Sequence, residues 1–350
     1  MPKDNFLIYG ANGYTGRLIT ELASSKGLKP TIAGRNEEQI AALASQYGLE
    51  YLVFGLEKVD TIAQKIEPFK IVLHCAGPFS QTAAPMMSAC LKAQVHYLDI
   101  TGEIEVFEAA AALNDAAKDA GIVLMPGVGF DVVPSDCLAS YLGSKLNAPT
   151  HLELAFKGGA GISQGTAKTM MENYHKGGAI RENGKIRKVP AAYEIKKINL
   201  GGKELTCATI PWGDVSTAFH STGIPNIKVF TAVKEKGIKM MRMSNSLRWF
   251  FKMSLVQNYL RKKIEKSVKG PSEESRKTTQ SHLWGKVSNE TQSFEASLTT
   301  PEGYQLTAMT AIGATEHLLT QPVFSGFKTP SMAFGPDFIL EFEGTIREDQ

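Results

Sequence analysis

Phe6-Leu7-Ile8-Tyr9-Gly10-Ala11-Asn12-Gly13-Tyr14-Thr15-Gly16 decides the fold. An apolar run short enough for a buried strand meets a Gly-rich turn, and Tyr14 to Ser25 follows with Leu18, Ile19 and Leu22 on one helical face. A Gly-x-x-Gly-x-x-Gly turn between a strand and a helix lets backbone N–H groups and the helix dipole meet a pyrophosphate. Gly10 suits the tight turn, Gly13 the close approach of phosphate, and Gly16 the close packing of helix on strand. Asn12, Tyr14 and Thr15 complete the loop.

Outward from this stretch, strand and helix patterns alternate. Lys29–Ala33 reads as a strand, Glu37–Tyr47 as a helix, and Leu52–Phe54 as a strand. Ile71–Ala76 is apolar throughout and reads as a central strand. Ala84–Ala93 is a helix, Val95–Asp99 a strand, Glu105–Ala120 a helix and Gly121–Pro126 a strand. Repeated β–α units imply a parallel sheet. After residue 127 the pattern changes. A helix from Pro134 to Lys145 leads into strands at His151–Phe156, Tyr193–Ile198, Glu204–Ile210 and Ile227–Ala232, with a helix near Thr166–Lys176. Gly270–Glu273 reads as a surface linker, followed by a strand at Thr291–Thr299 and a helix at Tyr304–Leu319. The fold class expected is α/β: an N-terminal Rossmann parallel sheet, then a second α+β domain with a largely antiparallel sheet. The domains expected are 1–127, 128–302 with a basic amphipathic segment at 239–269, and 303–350 as a C-terminal helix and tail packing back on the first domain.

The 350 residues are 43% hydrophobic and 21% charged, which excludes wholesale disorder. No apolar stretch is long enough for a transmembrane helix, and the N-terminus does not read as a signal peptide. Cysteines at 75, 90, 137 and 207 match neither a zinc motif nor a disulfide framework. The seven histidines are scattered, so no metal is expected. The net charge of +3 does not argue for nucleic acid. These features fit a cytoplasmic protein, free or peripheral at a membrane surface.

The second strand selects the nucleotide. NAD-binding chains usually end it with a carboxylate that holds the ribose 2′-hydroxyl. Here it ends Ala33-Gly34-Arg35-Asn36, and Arg35 suits a 2′-phosphate, so the cofactor read is NADP(H). Ala76, Gly77 and Pro78, at the end of the fourth strand, shape the wall beside ribose and nicotinamide.

Several motifs together resemble the saccharopine dehydrogenase-like oxidoreductases, including the trans-acting enoyl reductases. In order these are Gly10–Gly16, Ala33–Arg35, Cys75–Phe79, Tyr97–Glu103, Pro126–Asp136, Ser221–Asn226, Gly270–Glu274 and Thr329-Pro330. The resemblance implies a Rossmann domain, a second α/β domain, and a substrate between them. The arginine cluster that saccharopine dehydrogenases present to an amino-dicarboxylate has no match here.

Hydride transfer needs a partner for the proton. Candidates are Tyr97 and Asp99 with Glu103 just beyond, Asp131, Ser135 and Asp136 near a helix start, and Ser163–Thr166 with Lys168, Tyr174 and His175. Tyr141 and Lys145 mimic the Tyr-x-x-x-Lys pair of short-chain dehydrogenases, but 205 residues follow Lys145, too many for that single-domain family. Residues 228–269 hold 12 Lys/Arg against 2 Asp/Glu. Within them 247–268 fits a helix with Trp249, Met253, Val256, Leu260 and Ile264 on one face and Arg248, Lys252, Lys263 and Lys266 on the other. Such a helix suits anionic lipid, an acidic carrier delivering an acyl substrate, or packing within the subunit or a homodimer. The reading is hydride transfer to or from a carbonyl, imine or enoyl compound; the alternative is an NADP-binding sensor or scaffold without turnover. If Arg35 holds the 2′-phosphate, Arg35→Ala weakens NADPH binding much more than NADH binding. Equal losses for the two nucleotides would contradict the assignment.

Overall fold

The structure is a computed structural model and describes residues 5–159, 161–173, 176–246, 253–268 and 270–350. It divides into two compact units. One is Met1–Val133 with Tyr304–Ala333, and the other is Pro134–Gly303 with Phe334–Gln350. The division thus falls at Val133/Pro134, and the C-terminal segment is shared between the units.

The first unit starts with β1 (Phe6–Tyr9), α1 (Tyr14–Ser25), β2 (Thr31–Gly34), α2 (Glu37–Tyr47), β3 (Tyr51–Val53) and α3 (Val59–Ile66). It continues with β4 (Ile71–His74), α4 (Phe79–Ala93), β5 (His96–Asp99), α5 (Ile104–Ala112), α6 (Asn114–Asp119) and β6 (Val123–Met125). The short strand Gly326–Phe327 pairs parallel to β6, giving seven strands in which β3, β2, β1, β4, β5 and β6 lie in that order. Each pairing in this sheet is parallel. β1 and β4 are fully buried along their lengths, as the apolar runs Phe6–Ile8 and Ile71–Leu73 require. The order reverses beside β1, because the chain runs from β1 outward to β3 and then crosses back to β4. That reversal opens a crevice at the carboxyl ends of β1 and β4.

The second unit holds a helix continuing from Val133 to Gly143 (α7), then β7 (His151–Lys157), α8 (Gln164–Asn173), β8 (Gly178–Glu182), β9 (Lys185–Val189), β10 (Ile195–Leu200) and β11 (Lys203–Thr209). α9 (Asp214–Thr222), β12 (Asn226–Ala232), α10 (Glu235–Ser246), the helix Ser254–Ser267, β13 (Gln280–Ser288) and β14 (Ser293–Pro301) follow. Its sheet runs β10, β11, β12, β7, β13, β14 and the strand Ile346–Asp349, with β8 pairing to β12 and β9. Among the described residues only β12 with β7 is a parallel pair; the others are antiparallel.

Some elements differ from those expected. α4 begins at Phe79, five residues before the helix expected at Ala84, and carries Pro85 inside it. The helix expected over 105–120 breaks at Leu113, where the Asn114 side chain accepts a hydrogen bond from Phe327 N at 3.1 Å. β8 and β9 turn through Asn183 and Gly184, both with positive φ (51° and 75°). That Asn-Gly pair is a strong hairpin signal. Met253, in extended backbone, caps Ser254–Ser267, so the helix expected over 247–268 does not run through it. Arg248, Trp249 and Lys252 lie outside the described residues. Val256, Leu260 and Ile264 are half-buried on a helix that packs against α8, and Lys263 and Lys266 are exposed.

Two glycines hold the turn after β1. Gly10 has φ +82°, and a Cβ there would lie 2.7 Å from Ala76 N. A Cβ on Gly16 would lie 2.4 Å from Gly10 O. Gly16→Ala should therefore cost about 1–3 kcal/mol, and Gly10→Ala at least as much because of its left-handed backbone. Urea unfolding measures both.

Candidate functional site

The carboxyl ends of the first sheet gather most of the residues singled out from sequence. α1 starts on Gly13, which has no side chain to cap the helix, and its first turn contains no acidic residue. An uncapped helix start of this kind receives an anion. Asn12 donates from its side-chain amide to Gln39 Oε1 at 2.8 Å, and its carbonyl accepts from Arg17 Nε at 3.1 Å, which sets the loop's shape. Tyr14 and Tyr304 meet edge to face, centroids 5.0 Å apart, and Thr15 is half-buried. Arg35 is exposed at the end of β2, beyond buried Gly34. Gly13 and Gly77 are exposed beside half-buried Ala76 and Pro78, and the Gly77–Pro78 peptide is cis. The loop, Arg35 and the Ala76–Pro78 wall thus line one edge of one sheet, and their chemistry fits a dinucleotide phosphate.

Behind this edge runs a buried polar chain. Tyr97 and Asp99 are both 0% exposed. Tyr97 donates its hydroxyl to Asp99 Oδ2 at 2.6 Å, and Asp99 Oδ1 accepts from Thr101 N at 2.9 Å and Gly127 N at 2.8 Å. Burial pushes the Asp99 carboxyl up to about 7, against the lowering effect of these donors. The pair ties the exits of β5 and β6 together from inside the protein. Glu103, also buried, accepts from Phe79 N at 2.9 Å and Ser80 N at 3.1 Å. Its carboxylate therefore caps α4, which explains why that helix starts at Phe79 ahead of Pro85.

Asp131 differs from these carboxyls. It is half-buried, and among the described residues its carboxyl makes no hydrogen bond or ion pair. Burial alone pushes it up to about 7. Its Oδ2 sits 2.7 Å from where a Cβ on Gly102 would be, so a side chain at 102 would displace it. Its loop is held from the helix Gly303–Thr320. Thr307 Oγ1 accepts from Phe130 N at 3.0 Å, and Thr310 donates to Val128 O at 2.8 Å. Sequence reasoning missed these two threonines; their signal is a polar pair three apart on a face of a helix otherwise rich in Ala, Leu and Ile. It also missed His74, which is fully buried, held near 3 by desolvation, and bonded through Nε2 to Thr82 Oγ1 at 3.0 Å. Because Thr82 donates to Ala76 O at 2.7 Å, His74 is the donor in that bond, and it stays neutral.

The remaining candidates lie in the second unit. Ser135 and Asp136 are buried at the start of α7. Ser163 caps α8, its Oγ accepting from Thr166 N at 3.2 Å. Tyr174 and His175 lie outside the described residues. Tyr141 donates to Asp349 Oδ1 at 2.7 Å and stacks under Arg347, so its hydroxyl is already engaged on the surface. A groove of about 540 Å³ in this unit is lined by Lys196, Lys228, Lys286, Glu153, Glu295 and Trp284. Its charges pair with neighbours, Lys196 with Glu153 at 2.6 Å and Lys286 with Glu295 at 2.8 Å. Of the motifs it contains only the last residue of Ser221–Asn226, Asn226. Among the described residues no His/Cys/Asp/Glu group suits a metal ion.

Strand order, Gly-rich turn and arginine together define a dinucleotide-binding Rossmann unit. Residues 6–125 match the family model of the saccharopine dehydrogenase NADP binding domain, in agreement with the NADP(H) cofactor read from Arg35. The chain is similar to a saccharopine dehydrogenase-like oxidoreductase of Homo sapiens, 22% identical over 229 residues, which are 57% of this chain and 52% of that protein. It is also similar to a trans-acting enoyl reductase of Mycobacterium tuberculosis, 29% identical over 140 residues, 38% of this chain and 34% of the relative. The chain spans about half the length of the human relative it matches. Saccharopine dehydrogenase (L-Glu forming) of Saccharomyces cerevisiae shares the fold with a TM-score of 0.67, 11% identity, and 99% coverage of both chains. The resemblance expected from the motifs is borne out in domain and fold.

The Glu103 cap yields a stability prediction. Glu103→Ala leaves two first-turn N–H groups of α4 without their acceptor and should cost about 1–3 kcal/mol. Urea unfolding checks the value; no change would contradict the capping role.

Proposed function

We propose that this chain is an NADP(H)-dependent oxidoreductase, with Asp131 exchanging the proton that accompanies the hydride. The observation that carries the reading is a half-buried carboxyl that bonds to no other described residue, pushed up to about 7 and seated against Gly102 beyond the carboxyl end of β5. Bound NADPH supplies hydride to an electrophilic substrate carbon. Asp131 in its acid form then protonates the carbonyl oxygen, imine nitrogen or enoyl α-carbon, and in the reverse direction it accepts that proton. Tyr97 and Asp99 act as positioning residues, since both are sealed from solvent and fix the loops on either side. Gly10, Asn12, Gly13, Tyr14, Thr15, Gly16, Arg35, Ala76, Gly77 and Pro78 form the nucleotide seat.

The enoyl reductase among the relatives favours an acyl-type substrate. Lys236, Lys239 and Arg242 on α10, and Lys263 and Lys266 on the helix Ser254–Ser267, are exposed and would offer positive charge to its acidic carrier or to anionic lipid.

A general acid near 7 fixes the sign of the pH dependence. Reduction falls as pH rises above 7, about tenfold per unit, because the acid form is lost. Asp131→Asn should lower kcat about 10²–10⁴-fold and remove that limb, with NADPH affinity retained. Steady-state rates between pH 5.5 and 9 test this. The folded-state value also lies above the unfolded one, so the carboxyl's contribution to stability is lost as pH rises through 7. Asp131→Asn should therefore gain more in Tm over the parent at pH 8 than at pH 5. An unchanged rate in this variant would overturn the assignment.

A further inference from the structure

Arg35 and Glu57 leave neighbouring strands at one sheet edge, and among the described residues neither has a partner. Phe54 N donates to Gly34 O at 3.2 Å, extending the β2–β3 pairing by one residue. Arg35 follows Gly34, and Gly55 follows Phe54, so the two chain exits stand one strand spacing apart, about 4.8 Å. Glu57 comes two residues later, exposed, just before the Lys58 cap of α3. Its carboxylate folds back over the exit and lies 2.1–2.7 Å from where a Cβ on Gly55 would be. Tyr9, which ends β1 beside Gly10, donates to Phe54 O at 2.9 Å, and its hydroxyl feels Arg35 and Glu57 with opposite sign. Despite that proximity the guanidinium and the carboxylate form no ion pair, and neither bonds to another described residue.

Two opposite charges side by side, both unpaired, suit a ligand with an anion at one point and a hydrogen-bond donor at another. The adenosine end of NADP carries both, a 2′-phosphate and a 6-amino group. We infer that Glu57 reads the adenine ring, its carboxylate accepting from the 6-amino group while Arg35 holds the 2′-phosphate. Two other side-chain acceptors along this edge are already engaged. Gln39 Oε1 accepts from Asn12, and Asn36 Oδ1 caps α2 by accepting from Gln39 N at 3.0 Å. Glu37 and Glu38 sit in the first turn of α2, where the helix dipole favours them. The inference goes beyond the hydride chemistry and rests on the nucleotide lying over Gly10–Gly16 and Arg35.

The test uses the reduced hypoxanthine analogue of NADPH, which presents a carbonyl oxygen where adenine has its amine. Acceptor then faces acceptor, and binding weakens. Fluorescence titration of the full chain should show the parent binding NADPH about tenfold or more tighter than the analogue. Glu57→Ala should bring the ratio close to 1, mainly by weakening NADPH. Glu38→Ala should leave it unchanged, and Arg35→Ala should weaken both nucleotides in proportion. A retained ratio in Glu57→Ala overturns the inference, as does tighter NADPH binding, which would mean that the carboxylate only repels the phosphate. If Arg35→Ala still weakens both nucleotides in that case, only the role of Glu57 falls. If neither substitution has any effect, the placement of the nucleotide falls with it.

Discussion

The first unit depends on the contact between Gly10 and Ala76, where β1 and β4 leave the sheet side by side. Strand order reverses there, and the two exits approach so closely that no Cβ fits on Gly10. Close approach is possible because both strands are buried along their whole lengths. The chain leaving β1 turns at once into a helix start, and the chain leaving β4 turns into the Ala76–Pro78 wall. Everything assigned to the nucleotide lies on one side or the other of this contact.

A second tier of interactions holds the loops that carry chemistry. Asp99 bonds the exits of β5 and β6, Glu103 caps α4, and Thr307 and Thr310 reach the 128–130 loop from a helix nearly two hundred residues later. Asp99, Glu103 and Asp131 sit near these exits, and exposed Glu57 lies at the exit of β3. Their environments separate their roles. Asp99 and Glu103 are buried with backbone donors and work as braces, whereas Asp131 is half-buried without a partner and is set near neutrality. Environments that push like groups apart are how one fold assigns acid, brace and binding contact.

Much of this was legible in the sequence. The Gly-rich turn, the β–α alternation and Arg35 are local signals, each set by a few adjacent residues. The start of α4 was not, because its cap comes from Glu103, twenty-four residues away, and Pro85 imitates a first-turn residue. The role of Tyr97 was not, since only the structure shows it sealed behind Asp99. Nor was the half-exposure of Asp131 beside the burial of Asp99 and Ser135, because exposure and partners are products of tertiary packing. β8 and β9 carried a readable Asn183-Gly184 turn, but their alternation is interrupted by charges. The basic segment shows the opposite failure. Its periodicity is regular, yet Met253 adopts extended backbone and the helix begins only at Ser254.

A crystal structure with NADP⁺ bound tests the central claim most directly. The diphosphate should lie at the start of α1, the 2′-phosphate on Arg35, and the nicotinamide beside Gly77 with the Asp131 carboxyl facing its reactive side. A nucleotide seated elsewhere, or a nicotinamide turned away from Asp131, would contradict it.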